Sequence, residues 1–441
     1  MKILIPSEKF FQEYSYLFNL VFKNFLKTPY ELKICSRVKN PTIVLSTGKR
    51  LIFEQCFFSH SIDPNEPQTF ALPDGVIWVE AFNLNIPVFY GTGLFKNLEN
   101  DYILTADILG MIFFMVTRWE DSVSATKDKY GRSQALDSFA YKNNFLHLPV
   151  VDYYVRIIAE ILLTNGQHVD TKKLEKHKLF LTHDLDHLRS LPNIKAVLKR
   201  FLGNIFITKK FKRGLQAPYL YFKYKNNSSH DPFYDLEWLM DISEKHELKS
   251  IFYFLVSNKT SHDNQIPITE DLFLNTVRLI KNRGHKVGYH PSFESSIQKQ
   301  IWMNELKEFE DRIGFKVSEG RQHYLRINIP ETLEWYNESG FKIDSTLGYH
   351  DMLGYRCGTG KKFPVFNFVK RTTLNVNERP LIIMDGTLFD YMKCTPEESL
   401  QKIHDLGPSD ITVLWHNGYP NFKETYPKWV DLLKEKLDKQ S

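Results

Sequence analysis

Cysteine is scarce. The 441-residue chain holds four, Cys35, Cys56, Cys357 and Cys394. No two stand close enough for a zinc ribbon or a disulfide framework, and the set fits a reducing compartment. Long apolar runs are missing as well. The most apolar stretch, "ILGMIFFMV" (Ile108–Val116), has nine residues, against the roughly 20 that cross a bilayer, so no transmembrane segment is expected. The amino-terminal "MKILIPSEKF" is cut by Pro6, Glu8 and Lys9 before an apolar leader core can form. A cytoplasmic protein is expected. Charge of one sign is not in excess overall: 57 Lys and Arg face 52 Asp and Glu, a net +5, which does not call for a nucleic-acid partner. Internal repeats and low-complexity tracts are absent.

What remains is the make-up of an ordinary globular chain, 42% hydrophobic and 25% charged, long enough for two domains. Short β-type runs, "KILIP", "ELKIC", "TIVLST" and "GVIWVE", open it. An almost wholly apolar helix follows over "DYILTADILGMIFFMVTRWED", and "VRIIAEILL" reads as another. The polar gap 164–178 suggests a boundary, giving an N-terminal α/β domain over 1–175 and a second domain over 176–441. From Leu179 strands alternate with helices: "KLFLTHD", "DLEWLMDISEKHEL", "KSIFYFLV", "EDLFLNTVRLIKNRG", "HKVGYH" and onward to "DITVLWHN". Such repeated β–α units point to a parallel barrel or a doubly wound sheet.

One stretch breaks the alternation. Between His187 and His230 there are ten Lys and Arg and no acidic residue, interleaved with aromatics. Residues 188–230 therefore read as a basic insertion. It is either a cap with solvated charges or a surface for phosphate or membrane.

Ionisable residues punctuate the strand ends of the second domain. Asp184 and Asp186 follow "LFLT", His290 ends "HKVGYH", and Arg321 and His323 follow "VSEG". Asp344 ends "FKI", Asp385 ends "LIIM" and His416 ends "ITVLW". In a parallel β/α fold the carboxyl ends of the strands gather on one face, where sites are built. Residues i and i+2 of a strand share a face, so Asp184 and Asp186 point the same way if "LTHDLD" stays extended, and Arg321 can then keep Asp184 ionised. Asp186 and His290 offer a divalent metal two ligands from two strands, the donor types that metal-assisted hydrolysis needs.

These motifs resemble the polysaccharide deacetylases of the carbohydrate esterase 4 (NodB-homology) type. "THDLD" resembles the first motif, which implies Asp184 as the catalytic base and Asp186 as a metal ligand. "GHKVGYHPSFE" resembles the second through Gly284, His285, Gly288 and His290, but has Glu294 where the second histidine ligand of that family stands. "RQHY" keeps the third motif's Arg321, which holds the base, and Tyr324, whose backbone N–H faces the oxyanion, while Gln322 and His323 replace its usual prolines. "TVLWH" resembles the last motif, implying His416 as general acid with Leu414 lining the acetyl pocket. The resemblance covers most of residues 179–420 and implies a distorted (β/α)7 barrel. In the first domain, "DILGMIFFMVTRWED", "KDKYGRSQALDSFA" and "LHLPVVD" resemble the N-terminal region of a bacterial subgroup associated with surface-polysaccharide synthesis. Asp121, Asp128 and Arg132 are expected there as solvated turn residues.

The third metal ligand stays open. Glu294 lies one helical turn from His290 if the segment is helical, although Pro291 perturbs that geometry; His187 and His323 are the alternatives. Asp344 or Asp385 can orient His416. Arg356 in "GYRCGT" can grip a carboxylate or phosphate of a substrate, or form a structural salt bridge. The resemblance implies a deacetylase using one divalent metal, zinc or else Co, Ni or Mn. Its substrate would be an acetylated sugar or glycan precursor, free or phosphate- or lipid-linked. The alternative is a non-catalytic glycan- or lipid-carrier-binding protein on a decayed barrel.

Overall fold

A computed structural model describes the chain apart from residues 60–62, 64–65, 67–71, 124–125, 192, 208, 210, 258–259, 261, 264–267, 419–421 and 440–441. The chain is α/β and forms two compact units. The first comprises Met1–Leu179, Asn328–Thr412 and Leu432–Ser441; the second comprises Phe180–Ile327 and Val413–Asp431. The boundary expected near residue 175 lies beside the Leu179–Phe180 junction. Residues 328–412, expected with the second domain, cluster with the first, and the bonds they make explain why. Arg371 pairs with Glu13 at 2.8 Å, Tyr16 donates to the Pro364 carbonyl, and Thr359 and Ser409 both donate to the buried Asp152 carboxylate.

In the first unit the expected strands form as Lys2–Ile5, Glu31–Ile34, Thr42–Val44 and Ile77–Ala81. The apolar run folds as helix Ile108–Val116, every residue of which is buried. Its start is fixed by Asp107, whose carboxylate accepts from the backbone of Cys56, Phe57 and Gly110. Burial pushes this carboxyl up to about 6 even though those three donors pull it down.

The second unit carries a run of parallel strands. Leu179–Leu185 pairs with Ile251–Leu255, which pairs with Lys286–His290, which meets the two-residue strand Glu319–Gly320. On its other side Leu179–Leu185 meets Ile411–Leu414, a pairing that Trp415 extends by donating to the Thr182 carbonyl. Helices Leu236–Lys245, Asp271–Asn282 and Lys299–Ile313 connect them. The central strands are buried along nearly their whole length, as parallel strands covered on both faces must be. Among the described residues no sheet closes into the expected barrel. The edge strands of the nine-stranded sheet, Phe363–Asn367 and Ile383–Met384, do not pair with each other.

No helix among the described residues is long and apolar enough to cross a membrane.

Gly288 shows how tightly the site-bearing strands pack. It stands opposite Tyr253, and a Cβ there would fall 2.4 Å from the Tyr253 ring and 3.0 Å from the Glu319 carbonyl oxygen. We therefore expect Gly288→Ala to cost about 1–3 kcal/mol through overpacking. Thermal denaturation should show a lowered midpoint; a midpoint equal to wild type would mean that Tyr253 moves aside freely.

Candidate metal centre

Arg321 is the hub of the strand-end face of the second unit. It is fully buried, and its Nη1 donates to Asp184 Oδ1 at 2.8 Å and to Thr182 Oγ1 at 3.0 Å. Its guanidinium lies 4.7 Å over the Tyr253 ring. A buried guanidinium needs a buried anion, and Asp184 is placed to be one. The strand alternation that turns Asp184 toward this face turns His183 away. His183 bonds the Trp415 carbonyl and the Ser250 hydroxyl, and burial pushes its imidazole down to about 3, so it is a neutral packing residue.

Asp186, His290 and His323 each offer one ligand atom, and these atoms lie within 4.8 Å of one another. Asp186 Oδ1 is 3.5 Å from His290 Nε2 and 3.8 Å from His323 Nε2. The other ring nitrogen of each histidine is already committed. His290 Nδ1 sits 2.7 Å from the Arg321 carbonyl oxygen, which can only accept, so Nδ1 carries the proton. His323 Nδ1 sits 3.0 Å from Asp263 Oδ1. Burial opposes the charge of Asp263, but His323, Thr260 and the Phe293 N–H hold its carboxyl below the usual range. Both histidines are thus set in the tautomer that aims an Nε2 lone pair inward.

The donor chemistry fits a cation. Asp186 Oδ1 is buried with no hydrogen-bond partner, and two imidazole lone pairs converge on it. Burial works against its charge, yet His290, His323 and His416 hold the carboxyl well below the usual carboxylate range. His290 is itself raised: burial lowers it, but Asp184 and Asp186 more than offset that.

Glu294 does not join the group. His290 ends a strand, Pro291–Phe293 turn the chain, and Glu294 opens a separate 3-10 turn. The helical i, i+4 facing that would bring the two together never forms. His187 does not join either; its ring lies against Phe233 at 5.8 Å. The nitrogen that does lie within reach of Asp186 and His290 is His323 Nε2. His416, at the exit of its strand, places Nε2 3.9 Å from Asp186 Oδ2 and keeps its side chain a quarter exposed. Leu414 is buried at the end of the same strand. Tyr324 and Leu325 take consecutive left-handed conformations, φ 61° and 56°, which cost of order 1–3 kcal/mol each and gather at functional sites.

Arg356 is in the first unit, buried, with one nitrogen on the Gly348 carbonyl and another 3.0 Å from Asp121. Its guanidinium is spent on a structural ion pair, the second of the two roles open to it. Asp121 also pairs with the buried Arg118, and Asp128 with the buried Arg132. These are internal ion pairs rather than the solvated turn residues expected. Asp344 and Asp385 also belong to the first unit: Asp344 accepts from Thr346, and Asp385 from the Gly386 N–H.

Asp263 was not singled out from the sequence. It lies in a loop after strand Ile251–Leu255 with no motif around it, and its role exists only through the fold. Position after a strand end was the one available signal.

The family model described as "Family of unknown function (DUF7033)" matches residues 3–167. No match to the chain was found among curated proteins. Solved structures similar to it include a Mycobacterium smegmatis protein described as a polysaccharide deacetylase, at 14% identity and TM-score 0.37, covering 58% of this chain and 84% of that one. The chitin deacetylase of the fungus Colletotrichum lindemuthianum has 14% identity and TM-score 0.31, with 58% and 81% covered. A carbohydrate esterase 4 family pseudoenzyme of Bacillus anthracis has 12% identity and TM-score 0.32, with 59% and 62% covered.

Two outcomes test the centre. Asp263→Ala frees the His323 ring and should weaken zinc affinity about 10–100-fold, read by competition with a chromophoric chelator; unchanged affinity would remove Asp263 from the site. Zinc binding should also release protons, because His290 is raised above its ordinary value. The sign follows: apparent affinity tightens as pH rises and weakens as pH falls. Calorimetry in two buffers of different ionisation enthalpy reads the protons directly.

Proposed function

We propose that the second unit is a metal-dependent deacetylase acting on an acetylated sugar or glycan precursor. The observation that carries this reading is the convergence of Asp186, His290 and His323 beside an Asp184 gripped by buried Arg321, with His416 on the other side of Asp186. Asp186, His290 and His323 would hold a divalent ion, and zinc suits one carboxylate with two imidazoles, with Co, Ni or Mn as substitutes. When bound, such an ion supplies Lewis acidity to an acetyl carbonyl and lowers the pKa of water.

The chain's own groups then divide the work. Asp184 takes a proton from the attacking water, and Arg321 keeps that carboxylate fixed while it does so. The Tyr324 N–H donates to the developing oxyanion, and the left-handed turn at Tyr324 is where the backbone spends strain to aim it. His416 delivers a proton to the departing nitrogen or oxygen. Leu414 lines the acetyl pocket.

A non-catalytic binding role rests on the missing second histidine and on the basic insertion. The position of His323 beside Asp186 and His290 favours the catalytic reading on the first of these. We place the reaction in the cytoplasm, on a precursor of surface polysaccharide, free or phosphate- or lipid-linked.

The test is acetate release from short N-acetylated and O-acetylated glycans by the metal-loaded protein. Asp184→Asn should lower the rate by about 10²–10⁴-fold while leaving zinc stoichiometry at wild type. Release that persists unchanged in Asp184→Asn would sink the assignment. His323→Ala should lose both metal and activity, whereas Glu294→Gln should lose neither.

A further inference from the structure

The basic insertion of the second unit carries a surface that its catalytic reading leaves unused. Helix Ile194–Leu202 places Ile194, Leu198 and Leu202 at four-residue intervals along one exposed face, with Ile194 72% exposed. Phe206 follows, also 72% exposed. The next stretch, Phe211–Leu215 and Ala217–Asn226, keeps helical backbone through Gln216 and exposes Phe211, Leu215, Tyr219 and Phe222 at spacings of four, four and three. The helices pack on each other through Leu191, Val197 and Ala217, with Ala196, Leu220 and Tyr221 against that core. Eight of the twenty large hydrophobic residues exposed among the described residues fall in Ile194–Phe222. Scattered exposed apolar residues mean little; a concentrated stripe marks an interaction surface.

The charge says what covers it. Lys195, Lys199, Lys212, Lys223 and Lys225 are exposed on the same helices, and residues 188–229 contain no Asp or Glu. We propose that this insertion docks on an anionic lipid bilayer, lying in the interface with its Ile, Leu and Phe side chains among the acyl chains and its lysines on the headgroup phosphates. A nucleic acid would use the cations and stack aromatics but leave Ile194, Leu198 and Leu202 unburied. A protein partner or a second copy gives no reason for cations without a single acid.

The surface is firmly attached to the site. The Ser190 N–H donates to both oxygens of the buried Asp231, at 3.1 and 2.9 Å, closing the insertion at its base. Arg189 pairs with Glu270 at 2.8 Å. That base lies four residues after Asp186. Docking therefore holds the metal-centre loop at the membrane surface, where a lipid-linked acetylated sugar resides. This substrate consequence rests on the deacetylase reading; docking itself does not.

Flotation of the full chain with vesicles tests it. We expect binding to an equimolar mixture of phosphatidylglycerol and phosphatidylcholine, weak binding to phosphatidylcholine alone, and loss at high salt. The triple variant Leu198→Ser, Phe206→Ser, Phe222→Ser and the triple variant Lys199→Gln, Lys212→Gln, Lys223→Gln should each reduce binding about tenfold or more. Both should keep the wild-type melting midpoint and the wild-type rate on a water-soluble acetylated glycan. No binding to anionic vesicles, binding indifferent to the apolar triple, tighter binding to DNA or RNA at the same salt, or a dimer broken by the apolar triple would each overturn the proposal. Vesicle binding with no acetate release counts against the deacetylase reading alone; acetate release with no vesicle binding counts against docking alone.

Discussion

A buried guanidinium between two strands sets the terms for the second unit. Arg321 is fully out of solvent, with Asp184 and Thr182 within hydrogen-bond reach and the Tyr253 ring beneath it. The same residue's carbonyl fixes the tautomer of His290. Base candidate and metal-ligand candidate are therefore oriented by opposite ends of one residue. Gly288 is part of the same constraint, because a Cβ there would displace Tyr253 and with it the surface on which the guanidinium rests.

Much of this was legible along the chain. Strand-end positions for Asp184, Asp186, His290, Arg321 and His416 follow from where apolar runs stop, and the strand period puts Asp184 and Asp186 on one face. The third donor of the cluster was not legible in the same way. Glu294 is the right distance from His290 in sequence, but spacing becomes proximity only if the backbone is helical, and a strand followed by Pro291 is not. His323 lies 33 positions from His290 yet 5.0 Å from it ring to ring, because the strands that bear them are neighbours. The grouping of residues 328–412 with the N-terminal segment was hidden for the same reason. The Arg371–Glu13 and Thr359–Asp152 contacts span hundreds of positions and leave no local pattern.

The first unit handles charge differently. Arg118, Asp121 and Arg356 form an ion-pair chain out of solvent, with Tyr349 donated to by Arg118 and lying beneath Arg356. Burial raises the cost of each ion, and Asp121 is held far below the ordinary carboxylate range by its two arginines against that cost. Removing one member of such a chain strands the others. The polar turn sequence "TRWED" thus behaves as core, although its composition reads as surface.

The placing of His323 beside His290 has a consequence for how such clusters are read from sequence. A search that counts donors by their spacing along one strand and loop would pair His290 with Glu294 and pass over His323. Counted in space, the cluster has one carboxylate and two imidazoles, each imidazole held by its own acceptor. A donor that arrives from a neighbouring strand end leaves no local spacing pattern, so an inventory drawn from motif spacing will undercount clusters of this kind.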